Sequence, residues 1–338
     1  MTTFLSDQSE EPKRIVLVGA GKFGRHWVNR LQQSPKAHLV GVVDKNTDAI
    51  KALRMEGISV ASELKPMLDF VHHDGVVICT NPDSHVELSL QALEAGKHVM
   101  CAKPGVTSMA DYEMIATVAK DKDADYSIDY TMLSAPEVNF LDVSFCTWGE
   151  PYGIETSRFV IGNPDPIGEV LDLMSHDVAL AQYHVPDFER ADVVTCWRDV
   201  RGYIKASVCC GENRIGYFKA GYDSKRPKKI CAFEVRQNKK VIEPVGMIVW
   251  NQNERFLLFE KANGRAYRVD FEEWPDPITL SIERFVRRIK QKESGATDYF
   301  NDMVLQSAHV GERPIRTTVR ILEAMTQSLQ NHGEPVRL

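Results

Sequence analysis

The sequence predicts two domains: an α/β domain with a doubly wound parallel sheet, then an α+β domain with a large, mostly antiparallel, open-faced sheet. Three observations carry this. From Lys13, short runs of Val, Ile and Leu alternate with segments of helical period, the rhythm of β-α-β units. A glycine-rich turn follows the first apolar run directly. After about residue 130 the rhythm gives way to segments of alternating polar and apolar residues, as in a sheet covered on one face.

The first dozen residues are polar and read as a loose tail, 1–12. Strands are expected at 14–18, 38–43, 75–79, 97–101 and 125–128, because these runs are apolar on both faces, as strands between two helix layers must be. Helices are expected between them at 22–33, 46–56, 84–95 and 108–121. A helix at 168–184 then precedes seven strand-like segments: ADVVTCWRDV, YIKASVCC, RIGYFKAGY, KICAFEV, MIVWNQ, RFLLFEK and AYRVDF. Near the end, Ile315, Val319, Leu322, Met325 and Leu329 recur at helical spacing and predict an amphipathic helix docked on the protein. The expected domains are 13–130 and 131–312, followed by a helical segment at 313–338.

Composition narrows the function classes. With 41 Lys+Arg against 47 Asp+Glu, the net charge of -6 argues against a broad nucleic-acid surface. The 43% hydrophobic and 26% charged residues are those of a globular chain. The N-terminus shows no secretory pattern, and no stretch reaches the roughly 18 apolar residues that span a bilayer, so a cytoplasmic protein without a membrane partner is expected. Seven cysteines without a CxxC pair read as reduced thiols, Cys209 and Cys210 among them as alternating strand residues. No zinc-ligand spacing occurs, and no metal is expected.

GAGKFG, residues 19–24, closes the apolar strand RIVLV and opens the helix KFGRHWVNRLQQ. Gly19 permits the tight turn, Gly21 lets backbone approach a pyrophosphate, and Gly24 allows helix and strand to pack closely. The helix N-terminus at Lys22 and Phe23 offers amide donors and a positive dipole end. Asp44 ends the second strand, GVVD, where a carboxylate bonds the hydroxyls of an adenosine ribose. A carboxylate there repels the 2'-phosphate of NADP, so NAD is the expected cofactor. Lys45 beside it can compensate a phosphate, which leaves NADP possible.

The run VVICTNPDSHVELSLQALEAGKHVMCAKP, residues 76–104, together with GAGKFG and Asp44, resembles the glucose-fructose oxidoreductase / inositol dehydrogenase / rhizopine catabolism (Gfo/Idh/MocA) family. GEVLDLMSHDVA, at 168–179, is similar to that family's Asp-xxx-His pattern, and PDPITLSIERFVRRI with ERPIRTTVRILEAMTQSL to its C-terminal helices. The resemblance implies a Rossmann domain followed by an open-faced sheet, with the active site between them and the final helix returning to pack near the first domain. It also implies a homodimer or homotetramer formed through the open sheet. Two departures stand out. Ala102 occupies the place of the family's Glu, and DYTMLSAP at 129–136 lacks an Arg-Phe pair that many members carry.

Oxidising a secondary alcohol needs a hydride acceptor, which a nicotinamide supplies, and a group to take the hydroxyl proton. Lys103 follows the fifth strand at the carboxyl edge of the sheet, where ligands of such folds bind. By resemblance it would bond both the reacting hydroxyl and the nicotinamide ribose, and Pro104 would set the following turn. Asp172 and His176 are four apart on an expected helix and so share a face. His176 is read as the general acid/base and Asp172 as a ligand of a substrate hydroxyl that also tunes Lys103 or His176. His184 and Asp177 read as structural. By resemblance the loop Thr80, Asn81, Pro82 lies along the cofactor with His85 beside it; a packed or capping His85 is the alternative. The basic run KRPKK at 225–229 reads as a solvated turn, or as a receiver of phosphate.

The reading is an NAD-dependent oxidoreductase interconverting a secondary alcohol and a ketone on a sugar, cyclitol or nucleotide-sugar. The alternatives are an NADP-dependent ketosugar reductase of biosynthesis and a non-catalytic dinucleotide-binding sensor or regulator.

Overall fold

A computed structural model describes residues 11–55, 57–161, 168–223, 227–236, 244–271, 273–295 and 312–338. Most of the expected tail falls outside these residues, as do Lys225 and Arg226 of the basic run. The described chain divides into two compact units, one of residues 11–102, 117–126 and 278–295, the other of 103–116, 127–277 and 312–338.

Strands β1 (Lys13–Val18), β2 (Ala37–Val43), β3 (Ser59–Ala61), β4 (Gly75–Ile78), β5 (His98–Ala102) and β6 (Tyr126–Asp129) form a six-stranded sheet in the order β3-β2-β1-β4-β5-β6. β1 pairs in parallel with both β2 and β4, so the strand order reverses beside β1. In an open α/β sheet the connections after the strands on either side of that reversal run apart and leave a crevice. The linking helices are α1 (Lys22–Gln33), α2 (Thr47–Met55), α3 (Lys65–Phe70), α4 (His85–Glu94) and α5 (Met109–Asp121). Helix α1 turns Trp27, Val28 and Leu31 inward against Ile15, Leu17 and Leu39. Neither β3 nor α3 was expected, since three and six residues are too few to show a period.

The second unit holds a nine-stranded sheet. Its strands are β7 (Glu150–Val160), β8 (Val193–Arg198), β9 (Ile204–Cys210), β10 (Asn213–Tyr222), β11 (Lys228–Arg236), β12 (Pro244–Asn251), β13 (Phe256–Lys261), β14 (Ala266–Asp270) and β15 (Val336–Arg337). They run in the order β14-β13-β12-β11-β7-β10-β9-β8-β15. Only β7 and β10 pair in parallel; the other pairs are antiparallel. One face buries Ile154, Phe218, Phe233 and Ile248, beneath α6 (Pro136–Trp148) and α7 (Ser175–His184). On the other face Glu155 and Glu234 are exposed and Ser157 and Lys219 half-buried, so that side is open.

All seven strand-like segments became strands, yet β7, which joins the two halves of the sheet, was not foreseen. Its inward positions include Thr156 and Arg158, both buried, and polar residues on the inner face hide the alternation that marks a strand.

Helix α8 (Pro277–Ser294) departs from the expected domain division. The strand-rich domain was drawn to residue 312, but α8 belongs to the first unit, where Ile282, Phe285, Val286 and Ile289 join the core of Ile15, Leu17 and Val77. The final helix was expected near the nucleotide-binding domain. Here α9 (Glu312–Gln330) packs on β8 and α7 of the second unit, where the Ser328 hydroxyl accepts a 2.8 Å hydrogen bond from the Cys196 amide, and its Arg316 pairs with Glu113 and lies over the Tyr112 ring of α5, within the 13–130 stretch. Helical periodicity reveals that an apolar face exists, not which core receives it.

Candidate cofactor and proton-transfer sites

In the first unit the turn after β1 is built by contact. Gly19 has φ of +93°, and a Cβ there would lie 2.7 Å from the Cys79 carbonyl; one at Gly24 would lie 1.9 Å from the Gly19 oxygen. Only glycine lets helix, turn and β4 come this close. At Gly21, the N-cap of α1, a Cβ would meet nothing within 4 Å, so this amide edge faces open space of the kind a pyrophosphate needs.

That space belongs to a cleft of about 1020 Å³ whose lining includes Gly19, Gly21, Asp44, Lys45, Thr80 and Asn81. Asp44 Oδ2 accepts from the Ala20 amide at 2.6 Å and Oδ1 from the Asn46 amide at 2.8 Å, which fixes the carboxylate beside the turn. The volume, the open glycine edge and the fixed acid together suit a dinucleotide.

The remaining expected cofactor residues sort differently. Phe23 stacks edge-on against Trp27 at 6.4 Å, and Lys22 is exposed at the start of α1. Pro82 opens a short 3-10 turn, Pro82–Ser84, whose Ser84 hydroxyl donates to Thr80 Oγ1 at 2.7 Å. His85, read as lying beside the cofactor, is 1% exposed and absent from the cleft lining. Its Nε2 donates to the Thr80 carbonyl at 3.0 Å, so its packing holds the loop in shape.

In the second unit Lys103 lies just after β5, with a cis bond to Pro104. Its Nζ donates to both the Asp172 carbonyl at 2.7 Å and Asp172 Oδ1 at 2.6 Å. An ammonium has three donors, and the third has no partner among the described residues. The other Asp172 oxygen accepts from the Tyr222 hydroxyl at the end of β10. Burial alone would raise the Asp172 pKa, but Lys103, Tyr222 and Arg158 together hold it below the ordinary value.

The expected helix at 168–184 contains a π-helical turn, Val170–Met174, that continues into α7. The wider turn carries Asp172, and single π turns of this kind recur at functional sites. His176 follows in the first turn of α7, edge-on to Tyr130 at 6.4 Å. Its Nδ1 is buried with no hydrogen-bond partner among the described residues. Burial, then the charges of Lys103, Arg158 and Lys229, push the imidazole well below its ordinary pKa, so it is neutral at pH 7. Sequence reading missed Tyr222 and Arg158, which reach Asp172 and His176 only through strand pairing.

Asp177 and His184 carry structure. Asp177, 1% exposed, takes 3.1 Å bonds from Arg158 Nε on both oxygens and a 2.5 Å bond from Nη2. His184 is held among Phe145, Tyr183 and Phe233, and burial pushes its pKa down to about 3. A folded-state pKa below the unfolded one means its stabilisation is full above pH 6.5 and is lost as pH falls toward 3, by roughly 4 kcal/mol. Urea midpoints followed across that range should therefore drop less steeply for His184→Gln than for the unaltered protein.

Comparison with known proteins agrees with this picture. Residues 13–130 match a family described as oxidoreductase family, NAD-binding Rossmann fold. Myo-inositol 2-dehydrogenase of Thermotoga maritima is 26% identical over 185 residues, 50% of this chain and 54% of that one. D-glucoside 3-dehydrogenase of Escherichia coli is 33% identical over 119 residues, 34% of each chain. The aligned stretch thus spans about half or less of these relatives.

Solved structures share the fold along nearly the whole chain. UDP-N-acetylglucosamine 3-dehydrogenase of Acidithiobacillus ferrooxidans superposes with a TM-score of 0.76 at 16% identity, covering 96% of this chain and 99% of that one. A 3-ketoreductase of Actinomadura kijaniata, in complex with TDP-benzene and NADP, gives 0.74 at 15% identity over 94% and 98%. Among the described residues no helix is long and apolar enough to cross a membrane, and no group of His, Cys, Asp and Glu could hold a metal ion. Residues 13–130, which hold the glycine turn and Asp44, thus match the Gfo/Idh/MocA oxidoreductase family through its NAD-binding Rossmann fold.

Proposed function

We propose that the chain is an NAD-linked oxidoreductase that interconverts a secondary alcohol and a ketone on a sugar, cyclitol or nucleotide-sugar, with Lys103 and His176 handling the proton. The observation that carries this is the cluster itself: an ammonium oriented by Asp172 and left with one unused donor, and a neutral imidazole whose pKa that ammonium lowers.

A bound nicotinamide dinucleotide would accept or supply the hydride. The chain's own groups do the rest. Asp172, kept ionised by Lys103 and Tyr222, holds the Lys103 ammonium in one orientation. The remaining Lys103 donor stabilises negative charge growing on the substrate oxygen as its proton leaves. His176, neutral before reaction, accepts that proton in oxidation and returns it in reduction. Ala102 removes only the carboxylate that the family carries before this lysine. The set Lys103, Asp172 and His176 is retained.

The same reading makes the chain a cytoplasmic homodimer or homotetramer joined through the open face of the nine-stranded sheet. It also divides the work between a nucleotide-binding and a substrate-binding unit. Purified protein should change nicotinamide absorbance with members of a panel of polyols, cyclitols and ketosugars. Bound cofactor that is never reduced or oxidised across that panel would sink the proposal and leave a dinucleotide-binding sensor. The preference for NAD is attributed to Asp44, so Asp44→Ala should narrow the ratio of NADP to NAD dissociation constants by about tenfold. A ratio that stays put in fluorescence titrations would place the discrimination elsewhere.

A further inference from the structure

Lys229, the last cation of the KRPKK run, is the second residue of β11. The pairing of β11 with β7 sets it directly opposite Arg158, and two residues further along the same pairing Cys231 meets Thr156, so all four share the helix-covered face. The pairing of β10 with β7 brings Tyr222 onto this face one step further, opposite Val160. Like charges directly opposite in a sheet repel and need an anion nearby.

The carboxylates in reach are already engaged. Asp177 is bonded through both oxygens to Arg158, and Asp172 to Lys103 and Tyr222. Gln252, beyond the end of β12, gives its oxygen to Arg158 at 3.2 Å and its amide to Cys231 Sγ at 3.2 Å. Lys229 is half-buried, its carbonyl accepts from the Gln252 amide at 2.9 Å, and its ammonium has no hydrogen-bond or ion-pair partner among the described residues. Burial, Arg158 and Lys103 all act against its charge, and Asp177 alone favours it. With His176 neutral, the three cations Lys103, Arg158 and Lys229 face two carboxylates, Asp172 and Asp177, which leaves one positive charge uncompensated beside the proton-transfer groups.

We infer that Lys229 binds an oxyanion carried by the sugar substrate, a carboxylate or a phosphate monoester, and so selects acidic sugars over neutral ones. This rests on the oxidoreductase reading and names its substrate class. An oxyanion there neutralises the excess charge, accepts the unused ammonium donors, and leaves the hydroxyl to be oxidised on the Lys103 side of the row. Exposed Lys228, the preceding residue of β11, alternates to the opposite face and does not share this position.

The test uses the full chain saturated with NAD, titrated calorimetrically with hexuronates, hexose 6-phosphates and neutral hexoses of the gluco, galacto and manno series. At least one acidic sugar should bind tenfold or more tightly than its neutral counterpart, and which kind does so separates carboxylate from phosphate. Lys229→Met should weaken that acidic sugar by about 10- to 100-fold and leave the neutral one unchanged, while Lys229→Arg retains most of the affinity. Equal binding of acidic and neutral sugars, or equal weakening of both by Lys229→Met, overturns the assignment. Nicotinamide absorbance is read in parallel. Turnover of neutral sugars alone overturns the anion site and leaves the oxidoreductase standing, whereas anion binding without turnover of any sugar overturns the substrate assignment together with that reading.

Discussion

His176→Ala should lower kcat by about a hundredfold or more, with dinucleotide affinity nearly unchanged. The size follows from what a positioned proton acceptor contributes, and the separation of effects from the division of the molecule. His176 lies in the second unit with Tyr130, Lys103 and Arg158, whereas the glycine turn and Asp44 belong to the first. Because burial and three cations hold the imidazole neutral, the wild-type rate of alcohol oxidation should stay level from pH 8 down past 6.5 before it falls. Lys103→Met should lower kcat by a comparable factor and shift that acidic limb upward, since it removes a positive charge that holds the His176 pKa down. Steady-state kinetics over pH 5–9, with cofactor binding measured by fluorescence, check both. Unchanged turnover in His176→Ala would reject the assignment.

Arg158→Met should destabilise the second unit by about 3–5 kcal/mol. The substitution leaves Asp177 as a charge that is 1% exposed, its oxygens stripped of three bonds from the guanidinium. Burial alone would favour loss of the Arg158 proton, and Asp177 holds its pKa above the ordinary value. Breaking such a pair costs more than never having had it. The double variant Arg158→Met with Asp177→Asn should therefore recover at least half of the lost stability in urea unfolding. A double variant as unstable as the single one would show that the pair is held for reasons other than mutual neutralisation.

Much of the first unit was legible because its signals are local. An apolar run, a glycine turn and an acid at the next strand end lie within one β-α-β unit, and the chain there has little freedom to do otherwise. Gly19, Gly21, Asp44, Thr80 and Asn81 all line the cleft. His85 did not follow, because a histidine after a loop bonds whichever carbonyl the turn presents, and here that is Thr80. The candidate pair Asp172 and His176 was visible as a spacing, though the structure places a π turn inside it.

What the residues could not disclose arises where distant segments meet. Tyr222 reaches Asp172 across 50 positions, Arg158 reaches Gln252 across 94, and Lys229 stands opposite Arg158 only because β11 pairs with β7 in one register. The helix at 277–294, given in the sequence only through the resemblance, likewise showed nothing of its destination. The sequence alone thus determined the order of elements, the nucleotide-binding turn and the acid/base candidates, all consequences of short-range sterics and spacing. Strand order, helix docking and the uncompensated charge at Lys229 were decided by tertiary structure, since side-chain neighbours across a sheet depend on register, and register is set by the whole core.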